Sequence, residues 1–531
     1  MTRHAIQGNG MAGWSRREFL GTMAAGAACA LAPFGLGAGT NGSRSLLLRD
    51  VLLVDGTGAP GRSADVLVQG GRVTRIGRVF GGGGRGMRVV EGGGRVLAPG
   101  FIDLHTHGDP LEHAYTQYLA MGVTTVLLGQ DGGSPALPDQ GRDPGSLAAW
   151  MDAAEAAGSD VNVATLSGHG ALRRRAGIDD GTRKPSDAQL ARLQAILAHD
   201  LRAGAFGLST GLEYVPGRYA ETRELASLGP VVARANGVAM SHMRDEDAGD
   251  VHDSIRELVA ASGPARAHVS HLKMVYGKGE AAAEALLAFM QTLRTQAQPL
   301  TADAYPYAAS YTGIGILFPE WALPPTDYAE VLATRRDELR AWLQRRMEQR
   351  NGPEALLFGT GPRAGKTLAQ VAAERGMPYP DVLLELGPDG GSAAHSVMDG
   401  ALQDRLLLDP HVALGSDGSP GLRHPRSAGT FARFIEEFAV RSARLPLEEA
   451  VRKATSLPAS ILRLPDRGIV RAGAHADLVL FDPDRVHARA DYVDPHAWAE
   501  GFDLVIVNGE PAFESGEAVG RPGKLLRHAG L

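Results

Sequence analysis

Two histidines one residue apart, His105 and His107, are the first candidates for chemistry in this sequence of 531 residues. In an extended chain the side chains at i and i+2 share a face, so both imidazoles point one way and Thr106 the other. Far downstream, His242 and His271 each close a short apolar run, and Asp417 closes another. Neutral imidazole is a standard zinc ligand, and four such rings meeting in one place need a cation to hold them. Taken singly, each could instead be a hydrogen-bonded residue at a polar rim. Asp417 at such a centre can contact the metal and its water, accept the water's proton and pass it to a leaving nitrogen. As Asp417-Gly418 it also suits a plain turn. Zinc brings the pKa of bound water toward ~7, so no protein nucleophile is required. One or two Zn2+ ions, or another divalent metal, are therefore expected as cofactor.

The elements that must position these groups form a repeating pattern. Short apolar strands are expected at 100–104, 123–128, 161–166, 205–209, 238–240, 267–270, 300–302 and 412–415. Helical stretches lie between them, including 111–121, 144–157 and a helix from Ser186 with Leu190, Leu193, Leu197 and Leu201 as its apolar stripe and Gly204 as its stop. Each strand runs into polar residues: His105 and His107, Asp131, His169, Glu213, His242, His271, Asp303 and Asp417. Parallel strands need crossover helices, and eight of them close into a (β/α)8 TIM barrel whose site lies at the strand C-termini. The barrel is expected over 98–465. An insertion at about 308–410, with helices at 328–348 and 367–375, interrupts it between strands seven and eight as a lid or small subdomain. Alternating apolar runs bounded by glycine at 44–97 and again at 466–531 predict one β-sandwich built from both chain ends.

A metal pair needs a bridging anion. A carboxylated lysine is ruled out, because strands three to five hold no lysine and Lys184 sits in a Pro/Asp-containing loop. Asp131 is the expected bridge or ligand and Glu213 the next candidate, although Asp131-Gly132-Gly133 also reads as a turn. The formal net charge of −6 and the lack of a long basic run argue against a nucleic-acid partner. The single cysteine, Cys29, excludes an intrachain disulfide and leaves histidines and carboxylates to hold any metal. Residues 1–43 read as a targeting segment. Ser15-Arg16-Arg17-Glu18-Phe19-Leu20 ahead of a Gly/Ala-rich stretch resembles a bacterial twin-arginine signal, which implies a periplasmic or secreted protein. That stretch is too short and glycine-broken to span a bilayer, so no stable membrane insertion is expected.

The segment Ala98-Pro99-Gly100-Phe101-Ile102-Asp103-Leu104-His105-Thr106-His107-Gly108-Asp109 resembles the first-strand signature of the amidohydrolase superfamily. Gly207 to Tyr214, Ser241 to Glu246, Ser270 to Lys273, Tyr305-Pro306-Tyr307 and His424-Pro425-Arg426 are similar to N-acyl-D-amino-acid deacylases (D-aminoacylases). The resemblance implies hydrolysis of N-acyl-D-amino acids, a small-molecule amide substrate, with cyclic amides or D-residue dipeptides as the alternative. It implies zinc ligation by His105, His107, His242 and His271, with Asp417 as general acid/base. It places His169 near the scissile carbonyl, where an imidazole can stabilise an oxyanion or merely hydrogen-bond at the rim. Arg426 would grip a substrate carboxylate, and Tyr214 and Tyr305 could add hydroxyl donors, with packing roles equally open. Lys273 would meet an acidic substrate side chain or salt-bridge a neighbouring carboxylate. One departure stands out: such deacylases carry cysteine where this chain has Asp131, which makes the donor set harder.

Overall fold

A computed structural model describes residues 45–80, 86–139, 143–296 and 299–530. Its centre is a ring of parallel strands: Phe101–Asp103, Val123–Leu128, Asn162–Thr165 continued by Ser167–Gly168, Gly207–Gly211, Val238–His242, Arg266–Val269, Leu300–Ala304 and Val412–Leu414. Neighbours pair in that order. Phe206 N donates to Thr165 O at 2.9 Å, which ties the third strand to the fourth. The ring closes where Asp417 N donates to His105 O at 2.8 Å and His107 N to Gly418 O at 2.7 Å. The expected (β/α)8 barrel is thus the architecture found. Its interior is packed by Ile102, Leu127, Phe206, Val238 and Met240, with Leu462 from the helix Ser456–Leu462 in the same cluster, so it is a core and not a pore.

The strand before each turn explains why the ends carry the chemistry. Val123–Leu128 carries no ionisable residue and is buried on both faces, so its first ionisable side chain comes beyond Leu128. Helices outside the ring follow their sequence signals closely. Asp187–Ala203 begins in a Ser186–Gln189 capping box and ends at Gly204 in the left-handed conformation. Two expectations were too long. The helix expected over 111–121 is only Thr116–Ala120, because the Asp109 carboxylate accepts from Leu111 N and fixes a turn there instead. The stretch 328–348 is two helices, Tyr328–Thr334 and Arg336–Gln349, broken at Arg335 with φ −135°.

The insertion has its own small antiparallel sheet, Ser310–Gly313, Ser392–His395 and Leu356–Phe358, and its own apolar core around Ile314, Leu343, Phe358 and Leu383. Residues from 400, placed with the insertion in the sequence reading, are the barrel's last crossover helix, Gly400–Leu408, which packs on the helix Gly279–Gln296. Both chain ends build one nine-stranded sheet. They meet where Leu478–Phe481 pairs antiparallel with Val96–Pro99. The sheet curls over Leu48, Val66, Val73, Leu97, Leu480 and Ile506, and Val73 N reaches Ala474 O at 2.9 Å across the turn. Residues 1–43, with the paired arginines and Cys29, lie outside the described residues. Among the described residues no helix is long and apolar enough to cross a membrane.

The C-terminal tail lies along the start of the third barrel strand. Gly523 N donates to Ser159 O, Val163 N to Lys524 O, Leu526 N to Val163 O and His528 N to Gly204 O, at 2.7–2.9 Å. At ~1 kcal/mol for each backbone bond, removing the chain after Pro522 is expected to lower the unfolding midpoint by about 4 °C. Differential scanning calorimetry of the truncated chain checks this, and an unchanged midpoint would show the tail to be decoration.

Candidate metal centre

Each candidate ligand sits at or just past a strand end, on backbone that the fold forces into place. Asp131, His271 and Asp417 have φ of 53°, 36° and 52°. A left-handed non-glycine residue costs about 1–2 kcal/mol, so three of them in one site must be over-determined by their surroundings. Around Asp131 that constraint is visible. A Cβ at Gly211 would stand 2.1 Å from Asp131 O, and one at Gly168 would stand 2.4 Å from the carbonyl carbon of Gly133. Glycine there lets neighbouring strand ends close in on the Asp131 turn and aim its carboxylate inward.

The imidazoles from strands one, five and six converge on that carboxylate. Asp131 Oδ1 is 3.5 Å from both His105 Nε2 and His271 Nε2. Oδ2 is 3.5 Å from His107 Nε2 and 3.9 Å from His242 Nδ1. Asp417 Oδ1 lies 3.1 Å from His107 Nε2 and 3.5 Å from His105 Nε2. His242 Nδ1 and His271 Nε2 are 2.8 Å apart. Three ligand groups result, His105/His107/Asp131/Asp417, Asp131/His242/His271 and Glu213/His242/Glu246, with Asp131 common to the first two. Both ring nitrogens of His105 and Oδ1 of Asp131 are buried without a hydrogen-bond partner. Unpartnered buried polar atoms are costly, and a divalent cation among these nitrogen and oxygen donors satisfies them. The residues therefore fit a metal.

Carboxylates behind the rings set their orientation. Glu213 Oε2 is 3.0 Å from His242 Nε2, which turns Nδ1 toward the centre. Glu246 Oε1 is 3.3 Å from His271 Nδ1. Asp303, fully buried, accepts from His271 N at 2.9 Å, faces His268 Nε2 at 2.8 Å and stands 3.6 Å from His105 Nδ1. Such outer partners fix tautomer and ring direction. Sequence reading left Asp303, His268 and Glu246 without a role. Their signal was a charged or titratable residue inside or just beyond a buried strand.

Charge is balanced inside this cluster. Burial alone would raise Asp131, yet His105 and His271 hold it well below the usual carboxylate range. Burial also opposes ionisation of Asp417, but Arg426, then His105 and His271, outweigh it and hold that carboxyl low as well. The same attraction acts back on the rings. Burial and Lys273 depress His271, but Asp131 and Glu246 prevail and push it up to about 9. His105 is raised against burial by Asp131, Asp417 and Asp303.

The remaining candidates divide. Arg426 lines the cavity and its Nη1 is 2.8 Å from Asp417 Oδ2. Its backbone N–H donates to His424 Nδ1 at 3.1 Å, so the His-Pro-Arg turn aims it. Tyr214 also lines the cavity and accepts from Thr312 Oγ1 at 3.2 Å. Tyr305 is fully buried beneath Arg426, whose guanidinium carbon lies 5.0 Å over its ring, and burial pushes its hydroxyl up to about 12. Lys273 takes the salt-bridge role: Nζ donates to both Glu246 oxygens at 2.8 and 2.9 Å and lies 2.7 Å from His271 Nδ1. His169 is not brought to the centre. It is buried off the cavity, with Nε2 2.8 Å from Glu224 Oε1, whose other oxygen accepts from Arg173 at 2.7 Å. The chain turns into the helix His169–Arg175 at that residue, which carries its ring toward Glu224 on the neighbouring helix. The cavity over the centre measures about 370 Å³, and Tyr311, Thr312, Ile316 and Ser392 of the insertion form part of its wall.

Comparison with known proteins agrees with this geometry. The model of the amidohydrolase family Amidohydro_3 matches residues 88–357 and 400–513. The chain is 33% identical to an N-acyl-D-glutamate deacylase of Alcaligenes xylosoxydans xylosoxydans, over 91% of this chain and 96% of that one. It is similar to a crystal structure of N-acyl-D-glutamate deacylase from Bordetella bronchiseptica, complexed with zinc and a phosphonate mimic of the tetrahedral intermediate. That match has TM-score 0.79 and 31% identity, and covers 92% of this chain and 100% of that one. A D-aminoacylase with a binuclear metal centre superposes with TM-score 0.76 at 30% identity, covering 91% of this chain and 99% of that one.

The raised imidazoles give the centre a definite pH response. Below about 9, His271 carries a proton that a metal must displace, because only the neutral ring ligates. Zinc affinity is therefore expected to rise about tenfold per pH unit, for each proton displaced, between pH 6.5 and 8.5. Chelator competition at fixed free zinc reads this directly, and a flat profile would contradict the charge assignment.

Proposed function

The chain belongs to the amidohydrolase family, and on that footing we propose that it hydrolyses N-acyl-D-amino acids to a carboxylate and a free D-amino acid. It is a hydrolase of linear C–N bonds other than peptide bonds. The observation that carries the substrate reading is the joint presence of Asp131 between two imidazole pairs and an Asp417–Arg426 pair on the same cavity wall. One half suits water activation. The other offers a proton carrier beside a carboxylate clamp. The relatives supply the substrate class by name, as N-acyl-D-glutamate deacylase, N-acyl-D-aspartate deacylase and D-aminoacylase.

His105, His107, His242, His271 and Asp131 would hold one or two zinc ions, with Asp417 at the edge of the first group. When bound, the metal supplies Lewis acidity that makes water a nucleophile near neutral pH and polarises the amide carbonyl. The protein's own residues do the rest. Asp417, kept ionised by Arg426, accepts a proton from the attacking water at Oδ1 and delivers it to the departing nitrogen. Arg426 meets the α-carboxylate of the substrate with N–H groups that Asp417 leaves unused. Its Nε is buried without a partner. The hydroxyl of Tyr214 lines the same cavity as a further donor. Glu213 and Glu246 keep the rings of His242 and His271 facing inward during turnover.

Asp417→Asn keeps the shape of the residue and removes the proton carrier. It is expected to lower kcat by about 10³-fold while zinc content, measured by atomic emission on the dialysed protein, stays at the wild-type level. Activity within a few fold of wild type would remove Asp417 from the chemistry.

Export rests on the Arg16-Arg17 pair and the Gly/Ala-rich stretch that follows it. The full chain made in a bacterium with a twin-arginine system is expected in the periplasmic or secreted fraction. Arg16→Lys combined with Arg17→Lys is expected to hold it in the cytoplasm, as read by fractionation and immunoblot. Equal distribution of the two proteins would reject the signal.

A further inference from the structure

We propose that the D-amino acid released by this enzyme carries an uncharged side chain; the proposal rests on the deacylase reading above and narrows it. The relatives do not make this choice, since deacylases named for glutamate, for aspartate and for D-amino acids in general stand at 33, 33 and 32% identity. The cavity does.

Among the described residues that line it, the cations outside the imidazole cluster are Lys273 and Arg426. Lys273 donates from Nζ to both oxygens of Glu246, at 2.8 and 2.9 Å. Its charge is thereby matched by that carboxylate, which takes two of its N–H donors. Arg426 is paired with Asp417, and its remaining donors serve the one carboxylate that every N-acyl amino acid has. The other side of the cavity is built by the insertion and by the loop after the eighth strand. Tyr311, Thr312, Ile316, Ser392 and Leu422 stand there, offering hydroxyls, a ring and aliphatic carbon, and no formal charge. The neighbouring Arg423 does not line the cavity; its Nη2 lies against Gly365, 3.7 Å from where a Cβ there would sit.

A second carboxylate on the substrate would therefore enter a confined space without a counter-charge. It would also face Glu213, which lines the same cavity, and an anion that is buried unpaired is strongly disfavoured. An aliphatic, thioether or hydroxyl side chain would meet carbon from Ile316 and Leu422 and hydroxyls from Thr312 and Ser392, with nothing left unpaired. Selectivity would thus come from rejecting the charged competitor as much as from attracting the neutral one.

The test uses the zinc-loaded full chain with N-acetyl-D-leucine, N-acetyl-D-methionine, N-acetyl-D-glutamate and N-acetyl-D-aspartate. The kcat/KM of the neutral pair is expected to exceed that of the acidic pair by roughly tenfold or more. Equal or higher values for the acidic pair would overturn the proposal and leave the deacylase reading standing. Cleavage of none of the four, by protein that hydrolyses another amide, would remove both. A second arm places a cation in the neutral wall. Ile316→Arg is expected to shift the glutamate-to-leucine ratio of kcat/KM by roughly tenfold toward glutamate, mainly through KM. Ser392→Arg serves in its place if thermal unfolding shows Ile316→Arg to be misfolded. An unchanged ratio in the folded variant would place the side chain elsewhere and overturn the assignment of this wall.

Discussion

A single carboxylate, that of Asp131, stands within 3.5–3.9 Å of imidazole nitrogens from three separate strands. Without a negative charge at that point, four buried or half-buried rings would face one another with nothing to separate them. With it, His105, His107 and His271 are pushed toward protonation, and a bound metal would find a carboxylate within reach of every ring. The barrel, its closure beside His105 and Asp417, and the glycines at the third and fourth strand ends all serve this one meeting point. The donor set is wholly nitrogen and oxygen, the kind that suits zinc and other divalent ions of borderline hardness.

The position of Asp131 depends on backbone that most residues avoid. Asp131, His271 and Asp417 are left-handed, and the glycines beside them allow approaches that a single methyl group would block. Such strain is held only where neighbouring structure is stiff. Here the stiffness comes from strands buried on both faces and from carboxylates, Glu213, Glu246 and Asp303, that lock the rings from behind. The opposite wall of the cavity is built by the insertion, whose core is separate from that of the barrel.

Much of this was legible in the residues alone, for a physical reason. Parallel strands buried on both faces admit few ionisable side chains, so most of these collect at the strand ends and the pattern of endings exposes the barrel. His105, His107, Asp131, His242, His271 and Asp417 were all found that way. What escaped depended on side-chain direction and on local competition. His169 sits at a strand end like the others, but the helix starting there turns its ring to Glu224. Lys273 was ambiguous until Glu246, on another strand end, was seen to absorb its charge. The helix expected from 111 was lost to one carboxylate, Asp109, binding its own turn. Periodicity carries no trace of such choices.

The sheet that pairs Val96–Pro99 with Leu478–Phe481 has a consequence for biosynthesis. The strand Val96–Pro99 has to wait for one made after the whole barrel, and the segment that borders the third barrel strand is translated later still. The sheet therefore cannot form in the order in which its strands are made: its seam stays open until Leu478–Phe481 has emerged, after every strand of the barrel.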